Sequence, residues 1–146
     1  MKKVETWWED LNDYILSCQS KSIDWDTFDC CQFICGCCEA MTGQDPYKEF
    51  GYKYNTKSMA IQAVKAFASV RSYNQGVKYI VRSIGLKLGA EEGSRPRRGD
   101  IVVLDCDGEY ICGCVLIGKI AVIDENKGLQ YVPIDAYDIK LIVRSP

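Results

Sequence analysis

From residue 101 onward the chain reads as short apolar runs cut by turn residues, and this pattern constrains the fold more than any other feature. Runs at 101–105, 110–116, 120–123, 129–132 and 139–143 are rich in Val, Ile and Leu. They are separated by Asp107-Gly108, Gly118-Lys119 and Asn126-Lys127-Gly128, where glycine accepts the positive φ of a tight turn. Strands joined so closely have no room for a crossover, so they must pair antiparallel. A sheet of about five such strands buries one face only if something apolar covers it.

The cover lies upstream. Val4, Trp7, Trp8, Leu11, Tyr14, Ile15 and Cys18 recur at three- and four-residue spacing, the stripe of an amphipathic helix. After a loop over 20–26, a second helix is expected to begin at Asp29 or just before it, since Asp accepts hydrogen bonds from the free N–H groups of a first turn. Gly43, with Asp45-Pro46 beyond, should end it. Ser58 is the expected N-cap of a third helix with Met59, Ala63, Val64, Phe67 and Ala68 on its buried side. A fourth runs from about Gln75 through Val77, Ile80, Val81 and Ile84 to a stop at Gly85. A polar loop is expected over 89–99. The reading is one α+β domain over 1–146, helical to about residue 90 and stranded from about residue 100, with no repeat or linker to divide it.

Composition narrows the function classes. A net charge of −2 offers no general attraction to phosphate backbones, so nucleic acid is not the expected partner. The one basic group, Arg95, Arg97 and Arg98, reads as a solvated loop. Glu5, Glu9 and Asp10 stand where an export signal needs an apolar core, and the apolar run at 111–123 is 13 residues broken by Gly113, Gly118 and Lys119. Neither export nor membrane insertion is expected. Nine cysteines are present, crowded at Cys30, Cys31, Cys35, Cys37 and Cys38 and again at Cys106, Cys112 and Cys114, which suits buried thiols in a reducing compartment better than a disulfide framework.

The segment Trp25-Asp26-Thr27-Phe28-Asp29-Cys30-Cys31-Gln32-Phe33 carries the chemistry. A cysteine in the first turn of a helix sits against unpaired N–H groups that favour a thiolate, so a lowered pKa is expected there. The Asp-Cys-x-x-Phe pattern resembles the nucleophile motif of the NlpC-type, papain-like cell-wall peptidases. Arg97-Arg98-Gly99-Asp100-Ile101-Val102-Val103 looks like the turn that opens that family's sheet, and Ile111-Cys112-Gly113-Cys114-Val115-Leu116 falls where the family has its histidine-bearing strand. The chain is also similar, over nearly its whole length, to a group of small phage proteins associated with tail genes. The shared features are an early Trp-containing helix, the Asp-Cys-Cys segment, Thr42-Gly43-Gln44-Asp45-Pro46 with a following Tyr, and Gly128-Leu129 leading to Val132-Pro133. The resemblance implies a papain-like fold and a cleft bordered by Trp25, Asp29, Cys30 and Ile111, with Cys30 at the nucleophile position. Its implied partners are phage tail proteins or peptidoglycan peptides, and its implied location is the host cytoplasm during synthesis and then the virion tail.

The sequence departs from such an enzyme at the base. Ile111 stands at the histidine position and the chain contains no histidine at all, so the proton transfer worth about two to four powers of ten is missing. Asp29, Glu109 and Tyr110 are poor substitutes at neutral pH. The leading expectation is a non-catalytic structural or assembly component with a degenerate thiol site. The alternatives are an active thiol hydrolase using Cys30 and a metal-binding interaction module. For a metal, Cys31, Cys35 and Cys38 share one helix face while Cys30 and Cys37 lie on another, and a site would need help from Cys112 and Cys114, which share the side of their strand that can face the helix. No cofactor is expected. Tyr47, Phe50, Tyr52 and Tyr54 crowd one short stretch and read first as rings covering helix ends, second as a sugar- or protein-contacting surface.

Overall fold

The computed structural model describes residues 2–51 and 53–146. Five helices, α1 (Trp7–Cys18), α2 (Cys30–Thr42), α3 (Tyr47–Phe50), α4 (Lys57–Ala68) and α5 (Tyr73–Lys87), precede six strands among the described residues. These are β1 (Glu91–Glu92), β2 (Ile101–Cys106), β3 (Glu109–Val115), β4 (Lys119–Asp124), β5 (Gly128–Pro133) and β6 (Asp138–Arg144). Every pairing is antiparallel, in the order β1-β6-β2-β3-β4-β5, so the α+β arrangement of helices first and sheet last is what the chain adopts.

Period-two alternation divides the sheet's side chains between two apolar layers. Val103, Cys112, Cys114, Ala121, Leu141 and their neighbours face the helices and pack with Leu11, Ile15, Phe33, Cys37 and Met41 of α1 and α2. Val102, Leu104, Val115, Ile120, Val122 and Ile142 form a second layer on the far side. A third group, from Phe50 and Tyr54 to Ile80 and Ile84, ties α3, α4 and α5 together.

Several boundaries differ from the sequence reading, each for a local reason. A sixth strand, β1, occupies part of the expected polar loop; its two residues are exposed glutamates paired with β6, so no apolar alternation announced it. The one-turn α3 follows Asp45-Pro46 and was not foreseen. Thr56, not Ser58, caps α4, its side chain accepting from the Met59 N–H at 3.2 Å. The earlier start leaves Met59 exposed and gives the buried side to Ala60, Ala63 and Ala68. Ser72 caps α5, which begins at Tyr73, two residues ahead of Gln75, and runs through Gly85 to Lys87. Gly85 does not terminate it; a Cβ there would lie 2.6 Å from Val143 Cγ1, so the missing side chain lets α5 approach β6.

The Arg-Arg-Gly-Asp turn is more than a solvated loop. Asp100, fully buried, accepts from Arg144 Nε at 2.9 Å and Nη2 at 2.7 Å, and from the Arg97 N–H at 2.7 Å. Arg144 Nη2 also donates to the Arg95 carbonyl at 2.7 Å, so one bidentate pair clamps the start of β2, the end of β6 and the loop between β1 and β2. Arg98 is exposed yet lies 4.3 Å from the Trp8 ring centre, a cation–π contact that joins this loop to α1. Gly99 holds φ +89° beneath the Trp7 ring, a geometry other residues adopt only with strain.

Removing the Asp100 carboxylate leaves Arg144 without its partner in a largely enclosed site. Asp100→Ala should lower unfolding free energy by about 3 kcal/mol, the low end for a broken buried pair because Arg144 retains some solvent. Urea titration monitored by tryptophan fluorescence measures it; a loss no larger than that of an ordinary surface substitution would show that the clamp contributes little.

Candidate functional site

Asp29 organises the start of α2. Its Oδ1 accepts from the Gln32 N–H at 2.8 Å while Gln32 Oε1 accepts from the Asp29 N–H at 3.0 Å, a reciprocal capping box. Gln32 Nε2 donates onward to the Asp26 carbonyl at 2.8 Å, fixing the loop that carries Trp25. The second carboxylate oxygen accepts from the Tyr54 hydroxyl at 2.6 Å. Helix start and stop therefore fall where the sequence placed them, with Gly43 in the left-handed C-cap conformation.

Asp29 is buried, and this desolvation raises its carboxyl above the ordinary aspartate range. The hydrogen bonds from Gln32 and Tyr54 pull it back in part. Tyr54 is in turn held protonated by burial and by the nearby acidic groups Cys31 and Asp29.

Cys30 follows directly, in the first helical turn as expected, but its chemistry is the reverse of the expectation. The residue keeps part of its surface, yet protein rather than water surrounds the thiol. Burial, then the negative charge of Asp29, push its pKa far up, and the backbone N–H groups of the helix start only partly oppose this. Desolvation outweighs the helix end here, so the lowered pKa read from the sequence is corrected to a raised one.

Across from α2 stands β3. Its alternation turns Cys112 and Cys114 toward the helices and Ile111 to the far layer, among Leu104, Val115 and Ile120. The side chain set against Cys30 is therefore that of Cys112, whose thiol is also pushed well up by burial and by Cys30. Cys30 and Cys112 share a small apolar cavity of about 80 Å³ with Tyr73, Val77 and Ile80. A larger cleft of about 420 Å³ is bordered by Trp25, Asp29, Cys30 and Ile111 together, so the structure gathers all four residues around one opening even though Ile111 does not face the sulfur. The signal for this was in the sequence, because two thiols at 112 and 114 on the helix side require residue 111 to point away.

Three groups around this cleft escaped the sequence reading. Tyr54, besides packing at a helix end, donates its hydroxyl to Asp29. Tyr73 opens α5 beside both thiols, its hydroxyl pushed up by burial, then by Cys30 and Cys112. Lys57 of α4 and Glu125 of the β4–β5 turn pair at 2.7 Å, and both border the cleft. No local pattern marks a contact spanning 68 positions of sequence. Of the aromatic stretch, Phe50 and Tyr54 are buried with their rings in contact, the packing reading; Tyr52 lies outside the described residues.

The thiols crowd one another. Cys31 beside Cys35 along α2, and Cys114 beside Cys37 across the interface, each help to push the neighbouring thiol's pKa up. Among the described residues no group of three or more His, Cys, Asp or Glu side chains is arranged to hold a metal ion. Nor is any helix among them long and apolar enough to cross a membrane.

Two outcomes follow. Each unit by which a thiol pKa rises cuts its reactive thiolate about tenfold, so native Cys30 should react with iodoacetamide at pH 8 at least about tenfold more slowly than the same residue in urea. Peptide mapping reads this, and equal rates would mean an open, activated sulfur. The raised carboxyl of Asp29 means that the folded chain holds this proton more tightly than the unfolded one. Its contribution to stability is full below the ordinary carboxylate pKa and is lost as pH rises through the folded value. Between about pH 4 and pH 7 the urea midpoint of the native chain should therefore fall relative to that of Asp29→Asn; a difference that does not change with pH would contradict the assignment.

No curated protein and no solved structure matches the chain. A protein-family profile described as "Domain of unknown function (DUF6950)" matches residues 2–140. The chain belongs to this family, the match spanning α1 through the start of β6.

Proposed function

We propose that the chain is a non-catalytic structural or assembly component of a phage tail, built on a papain-like, NlpC-type scaffold whose thiol site has degenerated. The observation that carries the loss of catalysis is the setting of Cys30: its thiol is enclosed, its pKa is far above neutral, and the strand side chain across from it is another cysteine. A thiol nucleophile needs a thiolate and a group to carry its proton to the leaving amine. Cys112 supplies neither at neutral pH. Asp29, the adjacent carboxylate, already serves the Gln32 N–H and the Tyr54 hydroxyl.

The NlpC-type kinship is supported by the order of its landmarks: Asp29-Cys30 opens α2, Gly99-Asp100-Ile101 opens the sheet at β2, and β3 lies against α2. The phage-tail assignment rests on the sequence likeness. On this reading the protein is made in the host cytoplasm and passes to the virion, and its work is done by shape: the cleft receives a peptide segment of a tail protein or of peptidoglycan.

One observation favours a second reading, an active thiol hydrolase. The cleft beside Cys30 and Asp29 is large enough to admit a substrate backbone. Incubation with purified peptidoglycan separates the two. The native chain and Cys30→Ala should release the same background of soluble fragments by mass spectrometry, whereas release that depends on Cys30 would establish the enzyme. In phage particles encoding this chain, its peptides should appear in the tail fraction, and their absence from it would remove the tail assignment.

A further inference from the structure

The cleft owes its existence to a parting of two strands. β2 and β3 pair along Ile101–Cys106, and β4 and β5 along Lys119–Asp124, each by six register pairs. Between β3 and β4 the ladder has three, Gly113↔Val122, Cys114↔Ala121 and Val115↔Ile120. Beyond them β3 stays with β2 and β4 stays with β5, and the two hairpins diverge. The V they form is bordered by Glu109, Tyr110 and Ile111 on one arm and Ile123, Asp124 and Glu125 on the other, all of them lining the larger cleft.

An interior strand edge that faces a cleft is a template for another strand. The Tyr110 N–H also points into the V but is taken by Asn74 Oδ1 of α5 at 2.9 Å, so an added strand pairs beside Asn74 rather than at this N–H. By alternation the Cys112 N–H and the Tyr110 carbonyl project the same way. The splayed stretch from Glu109 to Cys112 is about 13 Å long at the rise of a strand, the length of a tetrapeptide.

The flanking side chains specify what such a strand would carry. On the helix side Tyr110 and Ile123 line the V with Val64 and Tyr73, and the carboxylate of Asp29 there is taken up by the Gln32 N–H and the Tyr54 hydroxyl. On the far side the same alternation places Glu109 beside Ile111 and Asp124 beside Val122, one carboxylate on each arm. Asp124 is held ionised, its pKa lowered by hydrogen bonds from the Asn126 and Lys127 N–H groups. Glu125 stands at the rim, occupied by Lys57.

We propose that this V seats an extended peptide by strand addition to β3, and that the peptide alternates apolar residues toward the helices with lysine or arginine toward Glu109 and Asp124. This rests on the reading of the cleft as a peptide seat and names the chemistry of its occupant. Backbone pairing supplies affinity, and the opposed apolar and acidic faces supply register, since a slip of one residue sets cations against the apolar side. Lys57 acts as the resident cation at the rim and gives way to the peptide's own.

The test uses the full chain and a pool of blocked tetrapeptides with lysine at alternate positions and randomised apolar residues between. In two-dimensional amide NMR the pool should shift Tyr110, Cys112 and Ile123 at millimolar concentration. N-methylation of the peptides' amides should weaken binding about tenfold, the effect of losing a hydrogen bond or two. A glutamate-for-lysine pool should bind more weakly, and Lys57→Ala should bind the lysine pool about threefold more tightly. No shifts at these residues, or equal binding of the N-methylated pool, overturns strand addition. Equal binding of the acidic pool overturns the charge assignment. The same samples separate this inference from the loss of catalysis: cleavage of bound peptide would refute the non-catalytic reading and leave strand addition standing, whereas intact, unbound peptide would do the opposite.

Discussion

The close approach of α2 to β3 is the constraint on which the rest of the structure depends. It is achieved with thiols. α2 buries Cys35, Cys37 and Cys38, and β3 answers with Cys112 and Cys114. A cysteine is scarcely larger than alanine but denser in dispersion contacts, and it loses little by having its weak S–H donor satisfied by another sulfur. Cys37 and Cys114 lie together across the interface, both fully buried. On the other side of α2, Gly36 leaves room for the Tyr14 ring, which a Cβ would strike, so the helix is held closely on both faces. The abundant cysteines, read in the sequence as buried thiols, serve in the fold mainly as packing material.

That packing also settles the character of Cys30. The same first turn can make a thiol acidic or inert, depending on whether solvent or a cationic partner reaches it. Here Asp29 stands next to the sulfur with its negative charge, and Cys112 and Tyr73 are weak acids in an apolar wall. Burial, Asp29 and Cys31 all disfavour the thiolate, and the largest opposing influence is the backbone of the helix start. Asp29 serves structure: it caps α2 and, through Tyr54, anchors the group formed by α3, α4 and α5.

Where local rules act alone, the sequence was informative. The Asp29 cap, the Gly43 stop and the turns at Gly108, Gly118 and Gly128 depend on residues within a few positions and could be read directly. The start of α4 could not, because Thr56 and Ser58 are both capable caps and the choice between them turns on which face Ala60 and Ala63 present to α5. β1 was illegible because two exposed glutamates owe their strand geometry to β6 alone. At the site, strand periodicity alone puts residues 111 and 112 on opposite faces, whereas a motif match gives a residue's position along the strand and not the face it takes. The raised pKa of Cys30 was beyond sequence altogether, since desolvation is a property of the assembled layers.

The parting of β3 and β4 can be understood in the same terms. To close, the ladder would have to bring Ile111 and Cys112 against Ile123 and Asp124, placing the carboxylates of Glu109 and Asp124 on the same face of adjoining strands, where like charges in close cross-strand positions repel. It would also displace Asn74, which donates to the Gly108 carbonyl at 2.7 Å while accepting from the Tyr110 N–H. Asn74 thus satisfies the turn and the strand edge together, at a place where pairing between strands would satisfy only the second. With β2 and β5 holding the two arms apart, an open V costs few backbone hydrogen bonds, and the acidic residues that oppose its closure become the feature by which a basic strand is recognised.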